Sequence, residues 1–131
     1  MTENVTQSVD IDAPRERVWD LLTDPAELIR WWPDAAELEP RVGGRVVLNF
    51  GPGDVSGEIT EWEPPGALGF TWEQSNMPGV RLHVSFTLDD LGGGRSRVSV
   101  VHSGFAAAPA EARDAVVGGW RHFLPRLKQA A

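Results

Sequence analysis

Apolar residues alternate with polar ones over Val5, Val9 and Ile11 against Thr6, Ser8 and Asp10, which predicts a half-buried strand over residues 4–11. Asp12 is placed to cap, and Pro14 to open, a helix that buries Val18, Leu21 and Leu22 with Trp19 at its edge. The helix breaks at Thr23-Asp24-Pro25. Asp24 then caps a second short helix, with Pro25 in its first turn and Glu27 completing a capping box. That helix carries Leu28, Ile29, Trp31 and Trp32 until Pro33 stops it.

Residues 33–44 carry no periodicity and are expected to be a loop ending at Gly43-Gly44. Alternation resumes at Val46, Leu48 and Phe50, and Gly51-Pro52-Gly53-Asp54 is a turn. Val55, Gly57 and Ile59 are in phase on the next strand, but Trp62 is not, so a bulge is expected near Thr60–Glu61. Pro64-Pro65-Gly66 turns the chain into Leu68, Phe70 and Trp72. Pro78-Gly79 turns it into Val80, Leu82, Val84, Phe86 and Leu88. Asp89–Gly94 reads as a hairpin loop before Val98, Val100 and His102, and Ser103–Ala108 as a link.

The last stretch, 109–128, switches period. Val116, Trp120, Phe123, Leu124 and Leu127 recur at three- and four-residue steps, the stripe of a helix about 30 Å long. Pro109 and Glu111 suit its start, and Arg126 and Lys128 its end. Gly118 and Gly119 each cost about 1 kcal/mol relative to alanine inside a helix, and Pro125 removes a backbone donor. Close packing or a gap filled by a guest molecule would account for the glycines. Sequential strands with short turns imply an antiparallel sheet of six strands or more, and only the last helix is long enough to cover it. The fold class is therefore α+β, a curved sheet around a long C-terminal helix with two short helices after the first strand.

Composition narrows the chemistry. The 131 residues fit a single domain over 1–131. The absence of cysteine removes disulfides, thiolate metal sites and thiol nucleophiles. A polar N-terminus and the lack of a long apolar run predict a cytoplasmic protein without membrane insertion. Residues 1–63 hold 14 acids against 5 basic residues, and residues 64–131 hold 5 against 7, for a net charge of −7. That balance argues against nucleic-acid binding.

The residues resemble the START-like, helix-grip superfamily (SRPBCC), and within it the branch named after the activator of the heat-shock-protein-90 ATPase. The matching segments are IDAPRERVWDLLTDPAELIRWW (11–32), RVGGRVVLNF (41–50), GEITEWEPPGALGFTW (57–72), SRVSVVHSGF (96–105) and GWRHFLPRLK (119–128). The resemblance implies a helix-grip fold with an internal cavity. The superfamily spans lipid carriers, hormone receptors, aromatase/cyclases and co-chaperone domains, so it implies little about function. The full co-chaperone is expected to carry a further N-terminal domain that these 131 residues do not include.

The ligand-binding candidates are Leu48, Phe50, Trp72 and Val84 on inward strand faces, with Trp120 and Phe123 facing them from the helix. They either line a pocket or form plain core. For Trp31 and Trp32, either one covers the pocket mouth or both anchor the small helices. Alternation turns His102 inward, where it could hydrogen-bond a ligand carbonyl, act as acid or base, or be satisfied by the backbone. Glu61 faces inward only if no bulge precedes it, and solvent is the expected side.

His83 alternates outward and His122 lies off the helix stripe, so no metal site is expected, and no cofactor is implied. No catalytic residue is assigned, because no nucleophile motif is present and Gly92-Gly93-Gly94 is not a phosphate loop. The leading function is binding of a small apolar or aromatic molecule. The alternatives are a chaperone-type protein-interaction module and an aromatase/cyclase-like or hydrolase-like enzyme on polyketide-type substrates. Homodimerisation is compatible with the chain, but no residue pattern specifies it.

Overall fold

The computed structural model describes residues 4–51 and 53–131; Met1–Glu3 and Pro52, the latter in the turn expected at 51–54, lie outside the described residues. In chain order the elements are β1 (Val5–Ile11), α1 (Arg15–Thr23), α2 (Pro25–Leu28), β2 (Ala35–Leu38), β3 (Arg45–Asn49), β4 (Asp54–Glu63), β5 (Ala67–Gln74), β6 (Leu82–Gly92), β7 (Arg95–Ser103), a 3-10 turn (Phe105–Ala107) and α3 (Ala110–Ala130).

Every strand pairs antiparallel, in the order β1-β7-β6-β5-β4-β3-β2. The inner face follows from alternation: Val46, Leu48, Val55, Ile59, Leu68, Phe70, Trp72, Leu82, Val84 and Phe86 are all buried. α3 spans this face over 21 residues, burying Trp120, Leu124 and Leu127 and half-burying Val116 and Phe123. Gln7 Nε2 on β1 donates to the Val117 carbonyl at 3.0 Å and ties the helix to the sheet edge. This is the helix-grip architecture. Among the described residues no helix is long and apolar enough to cross a membrane.

The register shift between Ile59 and Glu61 is the expected bulge, and it leaves Glu61 exposed. At Gly57 a Cβ would lie 1.8 Å from the Thr71 carbonyl oxygen. Only glycine lets β4 and β5 approach so closely.

Several local expectations need correction. Ala35–Leu38, expected to be loop, is an edge strand paired with β3; its two alanines and a glutamate carry no β signal, and Leu48 and Val46 dictate its pairing. Asp12 does not cap α1, whose N-terminus has no side-chain cap; its carboxylate meets Arg95 Nε at 3.1 Å instead. Asp24 caps α2 through Ala26 N–H at 3.0 Å, but the capping box is not made. Glu27 turns to Arg17 and Arg30 at 2.8 and 3.1 Å, and the Asp24 N–H stays with the Asp20 carbonyl. The Asp89–Gly94 loop is shorter than expected because β6 runs through Asp89 and Asp90, opposite Arg97 and Ser96.

The junction of α1 and α2 explains Trp31. Within α1 the Leu21 carbonyl would look to residue 25 for an N–H, and Pro25 has none. The Trp31 indole N–H fills that role at 2.8 Å from the Leu21 oxygen.

Candidate functional site

Trp32 is where the two short helices, the sheet and α3 converge. It is 7 % exposed, and its ring lies 5.2 Å from Trp31, 5.9 Å from Phe50, 5.7 Å from Trp72, 5.9 Å from Phe86 and 5.1 Å from Trp120, centroid to centroid. Beside them is a cavity of about 280 Å³ between the β3–β5 side of the sheet and α3.

Of the residues singled out from the sequence, Trp32, Phe50, Trp72, His102, Trp120 and Phe123 line this cavity. Trp31, Leu48 and Val84 do not. All three are at most 1 % exposed and belong to the packed core. α2 ends at Leu28, short of the expected Trp32, and in the turn that follows the two tryptophans divide, with Trp31 anchoring the α1–α2 junction and Trp32 facing the cavity. Phe50 and Phe123, both half-buried, line the cavity with their ring centroids 6.2 Å apart.

Val55 and the polar residues Asp54, Gln74 and Asn76 also line the cavity without having been picked out from the sequence. The Trp72 indole N–H donates to Gln74 Oε1 at 3.1 Å, and Gln74 Nε2 donates to Asn76 Oδ1 at 3.2 Å. Asn49 Nδ2 donates to Asp54 Oδ1. These side chains make a polar rim at one end of an aromatic chamber. Extending the period-two pattern of β5 past Trp72 would have found Gln74 on the same face.

Close packing does not account for the helix glycines, and only Gly119 borders the gap, Gly118 being exposed. A Cβ on Gly118 or Gly119 would meet no atom within 4 Å, and Gly119 lines the cavity.

His102 sits on β7 opposite Val84 and is fully buried. Trp120 Nε1 donates to its Nδ1 at 3.2 Å, and the Trp72 and Phe105 rings lie 4.9 and 5.3 Å away. Burial, reinforced by the charge of His83, pushes its pKa down to about 3, so the ring is neutral at physiological pH. His83 itself lies on the opposite sheet face, where Nε2 meets Thr60 Oγ1 at 2.8 Å. Near it the exposed Glu61 carboxyl is pushed up, first by desolvation and then by Glu63. Among the described residues no three His, Cys, Asp or Glu side chains are grouped to hold a metal ion.

No curated protein sequence matches this chain. Among solved structures, protein MLL2253 from Mesorhizobium loti superposes with a TM-score of 0.88 and 27% identity, over 97% of this chain and 95% of the other. DynU16, a putative protein in the dynemicin biosynthetic locus, gives 0.85 and 25%, over 97% of this chain and 46% of the other. The Aha1 dimer from Colwellia psychrerythraea gives 0.84 and 23%, over 97% and 94%, a likeness of fold. The family described as Activator of Hsp90 ATPase homolog 1-like protein matches residues 12–131, nearly the whole length, and this chain belongs to that family.

Proposed function

We propose that this protein binds a small, largely aromatic molecule in the cavity between the sheet and α3. The observation that carries the proposal is the cavity of about 280 Å³ walled by Trp32, Phe50, Trp72, Trp120 and Phe123. Small-molecule sites are concave, mostly apolar, and furnished with a few polar groups. Here His102 and the Gln74–Asn76 rim supply those groups. Burying ~300 Å² of ligand surface would contribute roughly 7 kcal/mol before association costs, enough for modest affinity. Native mass spectrometry of the purified protein tests this directly, since a co-purified small molecule is expected. Titration with aromatic compounds should quench the fluorescence of Trp32, Trp72 and Trp120, and a set of such compounds producing no quenching would count against the proposal.

An enzymatic role of the cyclase or hydrolase kind would draw on DynU16's place in a biosynthetic locus. It is disfavoured because His102, the sole histidine of the cavity wall, is neutral with one ring nitrogen already engaged by Trp120.

Contact with an Hsp90-type chaperone is the alternative, favoured by family membership and by the acid excess of residues 1–63. It predicts stimulation of chaperone ATPase turnover that weakens steeply with added salt. The Colwellia relative is a dimer, and a solution mass at twice the chain mass would extend that assembly to this protein.

A further inference from the structure

The hydrogen bond between α3 and β7 fixes which proton His102 carries. An indole N–H only donates, so His102 Nδ1 must accept from Trp120 through its lone pair. A neutral imidazole has one proton, which therefore resides on Nε2. Among the described residues that N–H has no hydrogen-bond partner, although the side chain is fully buried. Buried donors are almost always paired, and an unpaired one is costly. His102 belongs to the cavity wall and its Nε2 is closed to solvent, so a molecule in the cavity supplies the missing acceptor once the wall parts enough to uncover that nitrogen.

We propose that the ligand is a neutral, planar aromatic molecule of roughly two fused rings bearing a ketone- or quinone-type oxygen that accepts the Nε2 proton of His102. This rests on the small-molecule function proposed above. The size follows by scaling: a cavity of about 150 Å³ holds benzene, and this one is about 280 Å³. The aromatic character follows from the wall, where Trp32, Phe50, Trp72, Trp120 and Phe123 surround whatever fills the cavity. Asp54 at the rim is the one charged side chain among the described lining residues, so an anion would meet that carboxylate and find no cation, a repulsion that a neutral guest does not incur.

The test compares 2-acetonaphthone with 2-isopropenylnaphthalene, which has the same shape but a methylene in place of the carbonyl oxygen. Binding is followed by tryptophan quenching, with a long-range ¹H–¹⁵N spectrum of the His102 ring recorded alongside. The ketone is expected to bind about tenfold tighter, to lower its own carbonyl stretching frequency, and to shift the Nε2 resonance. The preference should disappear in His102→Phe. Equal affinities, or a ketone that leaves the Nε2 signal unmoved, would overturn the acceptor assignment and leave the cavity function standing. Binding of neither compound would overturn both. The wild-type spectrum decides the matter even where His102→Phe fails to fold.

Discussion

Trp32 and Trp72 stack with ring centroids 5.7 Å apart and planes 25° from parallel, bringing the end of the short-helix segment onto the inner face of β5. One contact thus does two things: it closes the core beneath α1 and α2, and it forms a wall of the cavity. Truncation should therefore be felt in stability before it is felt in binding. Trp32→Ala removes a side chain ringed by Trp31, Phe50, Trp72, Phe86 and Trp120 and is expected to cost about 3–5 kcal/mol. Trp32→Phe keeps part of the stack and should lose less. Urea unfolding of both variants measures the difference, and equal midpoints for Trp32→Ala and wild type would contradict this view of the core.

Two glycines that look alike in the sequence should respond in opposite ways. Gly57→Ala places a methyl 1.8 Å from the Thr71 carbonyl oxygen, a backbone atom that cannot step aside without parting β4 from β5. A loss of about 3 kcal/mol or more is expected. Gly119→Ala meets open space and removes a poor helix former, so a gain of about 1 kcal/mol is expected. Gly119→Leu goes further by extending into the cavity. It should keep the stability and weaken capture of an aromatic guest, a pairing of thermal melts and quenching titrations that separates fold from site.

His102 makes stability depend on pH in a definite direction. In the unfolded chain its imidazole titrates near 6.5; in the fold, burial and then the charge of His83 hold it at about 3. Between those values the unfolded state binds the extra proton. The contribution is thus fully present above the unfolded pKa and is lost progressively as pH falls toward 3. From pH 7 to pH 5 the loss should be about 2 kcal/mol. Asp10 and Glu39 are held below the usual carboxylate range, Asp10 by its hydrogen bond to Arg97 and Glu39 by the Arg45 N–H, and their contributions fade only at lower pH. Urea midpoints at pH 5 and 7 for wild type and His102→Gln test the assignment. A slope that survives the substitution would place its origin elsewhere.

Alternation and helical period were enough to read the large elements. Val46/Leu48, Phe70/Trp72 and Val98/Val100/His102 place the inner face, and Trp120/Leu124/Leu127 place the helix that covers it. What escaped was set by partners distant in the chain. β2 exists because β3 offers a free edge to Ala35–Leu38, a segment with little strand tendency of its own. Asp12 and Glu27 look like capping residues until Arg95, Arg17 and Arg30 arrive and outbid the helix ends. In the site, period-two spacing could say that Leu48 and Val84 point inward like Phe50 and Trp72. It could not say that the cavity would open toward the latter pair and away from the former, because that depends on how six large rings pack. Trp31 and Trp32 were inseparable by spacing alone, and the missing N–H of Pro25 is what separates them.

That missing N–H leads to the last prediction. The Leu21 carbonyl near the end of α1 accepts from the Trp31 indole at 2.8 Å because proline stands where a helical donor would. Trp31→Phe keeps an aromatic ring in the core and leaves a buried carbonyl without that donor. The expected cost is about 1–3 kcal/mol for the unsatisfied group, with a smaller packing loss added. Urea unfolding of wild type and Trp31→Phe measures that cost. Because Trp31 does not line the cavity, the same Trp31→Phe protein should bind aromatic guests with unchanged affinity. Equal urea midpoints for Trp31→Phe and wild type would mean that Trp31 is held by packing alone and that its bond to the Leu21 oxygen adds nothing.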